Sequence, residues 1–271
     1  EITLPPAIAG EHSKEILESI GIDSNIALSG ALAAIGRDDS PPVPPLNLIG
    51  DFGGGGMLLA LGIVAALLET KNSGKGQVID AAMTDGSSLL MTMMYSMHQS
   101  GFWNLERQTN LLDGAAHFYD TYECKDGKYV SIGSIEPQFY ALLCEKAELS
   151  QEDFGDQMKR DTWQNKKQLI KNVFLTKTRE EWCDLMEGSD VCFAPVLDMS
   201  EAPMHPHNIA RQTFIEIEGV TQPAPAPRFD RTQNEITLPP AIAGEHSKEI
   251  LESIGIDSNE YERLISSGSI V

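Results

Sequence analysis

The stretch Gly50-Asp51-Phe52-Gly53-Gly54-Gly55-Gly56 sets one carboxylate ahead of four glycines, and the chain then enters a helical pattern. Glycines let a backbone approach a ligand closely, and a helix start offers free N–H groups to it. A flexible turn is the alternative reading of Gly53, Gly54 and Gly55. The letters Asp-Phe-Gly match the kinase metal loop, but no His-Arg-Asp loop or Gly-x-Gly-x-x-Gly accompanies them. Six methionines, Met57, Met83, Met91, Met93, Met94 and Met97, cluster downstream. Methionine is unbranched and polarizable, so this density suits an adaptable acyl-binding surface, with plain core packing as the alternative for any one of them. Glu136 stands at a strand-to-helix junction, where a carboxylate also complements the helix dipole. His205 and His207 lack the carboxylate or cysteine pattern of a metal site, so no metal centre is expected. His117 beside Phe118 reads as a packing residue.

The elements that must position these groups follow from periodicity and punctuation. Residues 37–47 read as a proline-stiffened connection, and Gly53–Gly56 open a helix expected to be buried through about Leu68. Lys71–Gly76 read as a turn and Gln77–Asp80 as a short strand. Ala81 to about Ser100 read as one methionine-rich helix. Phe118–Cys124 and Lys128–Ile132 flank Lys125-Asp126-Gly127, a hairpin signal. Helices are expected at 137–147, 162–174 and 178–187, the last with a capping box formed by Thr178 and Glu181. Val191–Leu197 read as another strand, and 222–228 as a Pro/Ala connection. These patterns place a smaller α+β domain at 115–215, with 26–114 and 216–271 packing elsewhere.

Composition narrows the function classes. The 271 residues hold 20 Lys+Arg against 40 Asp+Glu, a formal charge of −20. A nucleic-acid binder needs a cationic face to release counterions from phosphates, so nucleic acid is excluded as a partner. At 41% hydrophobic and 22% charged, the chain has a globular composition. Cys124, Cys144, Cys183 and Cys192 form no C-x-x-C pair, which favours a reducing intracellular setting. The longest apolar run, Met57–Leu68, is short of the roughly 20 residues of a bilayer crossing, so no membrane span and a soluble chain are expected. No signal peptide is evident at the N-terminus.

Residues 1–25 recur without a change as 235–259. Diverged repeats differ at surface positions, where substitution is nearly free, so perfect identity points to a recent rearrangement or a sequence-assembly join. The second copy runs on into a plausible ending and the first breaks abruptly at Ile26. The second is therefore read as native and residues 1–25 as a duplicated C-terminal segment. In each copy a short helix is expected; in the second, Ile250, Leu251 and Ile254 form its apolar stripe and Gly255 stops it.

From Ile26 onward the chain resembles the alpha-methylacyl-CoA racemases of the family III CoA-transferase superfamily. The resemblance rests on Pro44-Pro45-Leu46-Asn47-Leu48, Gly50–Gly55, Gly74–Ala81 and Asn110-Leu111-Leu112-Asp113-Gly114. It continues in Phe118–Tyr122, Ile135–Tyr140, Pro195-Val196-Leu197 and Gly244-Glu245-His246. It implies an α/β fold in which 26–114 is the remnant of a Rossmann-like large domain. The smaller α+β domain follows, and 216–271 returns to the large domain. It implies an enzyme that inverts the carbon next to a thioester carbonyl in lipid metabolism. Two groups on opposite faces remove and return a proton through an enolate. Asp51 is then the aspartate of the pair, Glu136 a supporting acid, and the methionines the surface on which the acyl group moves. The substrate is an acyl-CoA thioester whose CoA moiety makes a separate cofactor unnecessary. The partner is a second copy in an interlocked homodimer, and the setting a peroxisome or mitochondrion. The family's histidine does not carry over: the ungapped match puts Gly21 in its place, inside the duplicated segment. The N-terminal nucleotide-binding half has no counterpart, and Ala115 and His117 replace the family's Gly and Pro. The chain by itself is therefore expected not to racemise. Coenzyme A transfer with Asp51 as nucleophile needs no histidine and is the alternative, as is a non-enzymatic chain that associates with itself or a relative.

Overall fold

The computed structural model describes residues 24–37, 40–236, 238 and 241–270. Residues 1–23 of the first copy of the repeat, Gly21 among them, lie outside the described residues. The chain divides into two compact units between Val196 and Leu197.

The first unit begins with two short helices, α1 (Ser24–Leu28) and α2 (Ala31–Ala34). A wide π-helical segment, Leu48–Met57, then runs straight into α3 (Leu58–Ser73). The Phe52 N–H reaches back five residues to the Asn47 carbonyl at 3.0 Å, which is π winding. The four side-chain-free glycines offer little packing that would enforce the tighter α turn. Gly74 ends α3 at φ 74, a left-handed position that favours glycine. Residues 75–80 hold no regular structure, so the expected strand at 77–80 does not form: its apolar positions find no partner strand to pair with. The methionine-rich segment is two helices, α4 (Met83–Leu90) and α5 (Thr92–Gln99), because Met91 leaves helical geometry at φ −88, ψ 4.

The expected buried helix is found, but not its burial. No residue of α3 is buried, and Leu61, Val64 and Leu67 are each 64% exposed. A helix apolar on all sides normally lies inside a core. Among the described helices and strands only the π-helical segment packs against it closely, and Ile79 from the irregular 75–80 segment reaches Gly62. Together the two span Leu48–Ser73, 26 residues with a window of mean hydropathy 1.8. That is long and apolar enough to cross a membrane by length and composition alone. The run of letters is shorter than this helix because Gly and Asp residues interrupt the run without breaking the helix, and one such helix does not by itself make a membrane span.

The rest of the first unit closes around a sheet. Strands β1 (Tyr119–Glu123), β2 (Tyr129–Gly133) and β3 (Phe193–Pro195) pair antiparallel in that order. Tyr122 faces Val130, and Val130 faces Pro195. The hairpin turns at Gly127, φ 74. Helices α6 (Pro137–Lys146), α7 (Gln151–Phe154), α8 (Trp163–Phe174) and α9 (Arg179–Met186) supply the other wall. The expected capping box is present: Thr178 Oγ1 accepts from the Glu181 N–H, and the Glu181 carboxylate accepts from the Thr178 N–H. Phe118, Leu143, Ile170, Phe174, Trp182 and Met186 fill the core. Tyr122 stacks on Phe174 at 5.1 Å, and Trp182 meets Phe174 edge-on at 5.0 Å.

The second unit carries α10 (Pro206–Arg211), an unanticipated hairpin of β4 (Phe214–Ile217) and β5 (Val220–Pro223), α11 (Ser247–Ser253) and α12 (Ser258–Ser266). The helix expected in the second copy is α11, with Gly255 past its end at φ 97. Its apolar stripe is not buried in this unit: Ile250 is 58% and Ile254 71% exposed.

Candidate active site

Asp51 sits in the first turn of the π-helical segment, and its Oδ2 is buried with no hydrogen-bond partner. An orphaned carboxylate oxygen is costly unless a further group satisfies it. The glycines after it bring two backbones together. A Cβ on Gly86 would lie 1.8 Å from the Gly54 carbonyl oxygen, and one on Gly54 would lie 2.7 Å from the Ser87 nitrogen. The close approach that glycine permits is therefore taken up at Gly54 by helix α4. Gly53 and Gly55 face Leu90 and Met83 in the same seam. Gly56 is exposed, with only the Asp51 carbonyl near its missing Cβ. Ser87 Oγ, fully buried in this seam, is a second orphan. π-Helical turns occur mostly as single bulges at functional sites, and here one carries the carboxylate that the sequence singled out.

The methionines do not share one surface. Met57 is 68% exposed, while Met83 and Met91 are half-buried. Met91 and Met94 line a cavity of about 720 Å³ with Ile49, Leu90, Trp103 and Ile132. This volume and its apolar lining suit a ligand of moderate size. Neither Asp51 nor Glu136 lines it. Glu136 is exposed at the N-cap of α6, with its side chain free of any capping bond. Its charge helps raise the Cys192 thiol, although burial is the larger cause.

Part of the cavity wall is a charge cluster that pattern reading missed. Arg37 donates to both oxygens of Asp120 at 2.9 Å, and Lys167 Nζ stands 2.5 Å from Asp120 Oδ2. The Asp120 side chain is 7% exposed. Burial pushes its carboxyl up, but hydrogen bonds from Arg37 and Lys167 outweigh that, and the net shift is downward. Arg37 and Asp120 are far apart in the chain, so no local pattern could have paired them.

His117 is a packing residue, as expected. It is fully buried among Phe118, Tyr140 and Phe154. The Tyr140 hydroxyl donates to the Phe154 carbonyl, so it accepts from His117 Nε2–H at 2.8 Å. That places a proton on Nε2 and leaves Nδ1 without a partner. Burial, aided by Lys166, pushes the imidazole down to about 3. The Asn110–Asp113 motif folds on itself. Asn110 Nδ2 donates to Asp113 Oδ2 at 2.8 Å, and the Asn110 N–H donates to Oδ1 at 2.9 Å. Among the described residues no group of three His, Cys, Asp or Glu side chains is placed to hold a metal.

The model of CoA-transferase family III matches residues 12–247. Alpha-methylacyl-CoA racemase of Mus musculus is 43% identical over 252 residues, covering 91% of this chain and 65% of the relative. The Homo sapiens protein of the same name is 42% identical over 250 residues, with the same coverage. The chain thus spans just under two thirds of the length of these relatives. The crystal structure of a CAIB/BAIF family protein from Brucella suis superposes with a TM-score of 0.68 at 20% identity. It covers 86% of this chain and 63% of that one.

Proposed function

The chain belongs to CoA-transferase family III, and from that premise we propose that it carries one half of the proton-transfer machinery of a 2-methylacyl-CoA racemase. The observation that supports this reading is the identity of 43% to a racemase over 91% of the chain, together with Asp51 and its unpartnered Oδ2. In the reaction a carboxylate takes the proton from the carbon next to the thioester carbonyl. The C–H electron pair moves into an enolate whose charge rests on the carbonyl oxygen. An acid on the opposite face returns a proton to carbon and inverts it. Asp51 serves as the carboxylate on one face. Glu136 supports it as a further acid, and the polarizable side chains of Met57, Met83 and Met91, although on separate surfaces, are the candidate contacts for the acyl group. The backbone at Gly53–Gly55 sets the approach of Asp51. Coenzyme A enters with the substrate, so no separate cofactor is needed. An interlocked homodimer, a role in lipid metabolism and a peroxisomal or mitochondrial setting belong to the same reading.

Inversion needs a base on the second face, and Gly21 occupies the matching position. Incubated with an (R)-2-methylacyl-CoA in D₂O, this chain is expected to incorporate no α-deuterium. A chimera whose residues 1–25 are replaced by the mouse relative's whole N-terminal portion, up to the residue matching Ile26, is expected to exchange and to interconvert the two epimers. Asp51→Asn is expected to abolish both. A folded but inert chimera would overturn the racemase reading. The absence of a histidine requirement favours a second reading, CoA transfer, in which Asp51 attacks the thioester carbonyl, expels the CoA thiolate and becomes acyl-bound. Hydroxylamine trapping separates the two, since a labelled Asp51 belongs to transfer alone.

A further inference from the structure

A second cleft, of about 390 Å³, opens between one face of α8 and strand β1. Gln164, Lys167, Gln168 and Lys171 recur on α8 at helical spacing, so all four project to one side. The charged side chains lining the cleft are Arg37, Lys167 and Lys171 against Asp120 and Glu123. The lining is therefore net positive in a chain with twice as many acids as bases.

The charges are not equally available. Asp120 is spent on Arg37 and Lys167, which it holds in place, and Lys167 also donates to the Gly114 carbonyl. Lys171 Nζ and the carboxamides of Gln164 and Gln168 have no hydrogen-bond or ion-pair partner among the described residues. They line the cleft with the exposed Tyr129. The cleft thus combines two fixed cations, one open cation and two open amide donors, with Glu123 as the opposing charge. Fixed cations lose little freedom when an anion arrives, which favours binding.

We propose that this cleft is a binding site for a small oxyanion, a carboxylate or a phosphate, held by Lys171 and the amides of Gln164 and Gln168. Neither Asp51 nor Glu136 lines it, so the site stands apart from the proposed proton-transfer chemistry. The Arg37–Asp120 pair lines both this cleft and the methionine-lined cavity, so an anion here would act on a shared wall.

The test is titration of the whole chain with sodium phosphate and, separately, sodium acetate. Sodium chloride holds the ionic strength constant, and the side-chain amide signals of Gln164 and Gln168 report by NMR. Saturable shifts with at least one anion are expected, and the tighter of the two identifies the source chemistry. Lys171→Gln, an exposed change, is expected to weaken binding about tenfold, as loss of one charge-assisted hydrogen bond does. Lys75→Gln removes the same charge outside the cleft and is expected to change nothing. Shifts that fail to saturate with both anions would overturn the proposal, as would equal affinity in Lys171→Gln and the parent chain.

Discussion

Two regions of the first unit carry large apolar side chains and end in opposite states. Around Phe118, a three-stranded sheet and four helices enclose Leu143, Ile170, Phe174 and Trp182, each at most 1% exposed. Leu58–Ser73 is the more apolar of the two along its length, yet none of its side chains is buried. The difference is the opposing wall. The sheet faces α6, α8 and α9, so each apolar side chain meets another. Helix α3 presents apolar residues on every side but, among the described helices and strands, meets only the π-helical segment closely. Hydrophobic free energy follows area removed from water, not residue type, so the same letters stabilise one region and leave the other open.

The comparison can be broken by substitution. The largest expected effect is in the closed region. Phe174→Ala removes a ring in contact with Tyr122 and Trp182 and should cost about 3–5 kcal/mol in urea unfolding. A cost near zero would mean that this core is not the source of stability.

An effect of similar size, spread across pH, comes from His117 in the same core. Its imidazole stays neutral in the fold down to about 3, whereas the unfolded chain protonates near 6.5. The unfolded state takes up the proton first. Stability is therefore full above 6.5 and falls as pH drops toward 3, by about 1.4 kcal/mol per pH unit inside that window. His117→Gln should flatten this part of the stability–pH curve. An unchanged slope would show that acid sensitivity arises elsewhere.

The smallest expected effect is on α3. Leu67→Ala should change unfolding free energy by less than about 0.5 kcal/mol, the usual range for exposed positions. A loss comparable to that of Phe174→Ala would show that α3 is covered in solution, and the contrast between the regions would vanish.

Much of the closed region was legible before the structure. The hairpin around Gly127, helices α6, α8 and α9 and the Thr178–Glu181 cap rest on contacts between near neighbours, which the sequence displays directly. The strand expected at 77–80 failed because a strand needs a partner that local letters do not name. The single helix expected at 81–100 failed at Met91, where the break carries no glycine or proline to announce it. The candidate site divides the same way. Asp51 and its glycines were visible as a motif. That the Gly54 carbonyl would press on Gly86, and that Asp51 Oδ2 and Ser87 Oγ would be left as orphans, was not.

The amino-acid sequence by itself determined the acidic balance, the local elements of the closed region, the repeat of 1–25 at 235–259 and the motifs that carry the family. These are properties of composition and of neighbours in the chain. Tertiary structure alone decided the π winding that carries Asp51, the neutral burial of His117, the exposure of α3 and the joining of Arg37 to Asp120 and Lys167. Each of these depends on which distant surfaces meet, and the free energy of a side chain is set by the neighbours it meets in space.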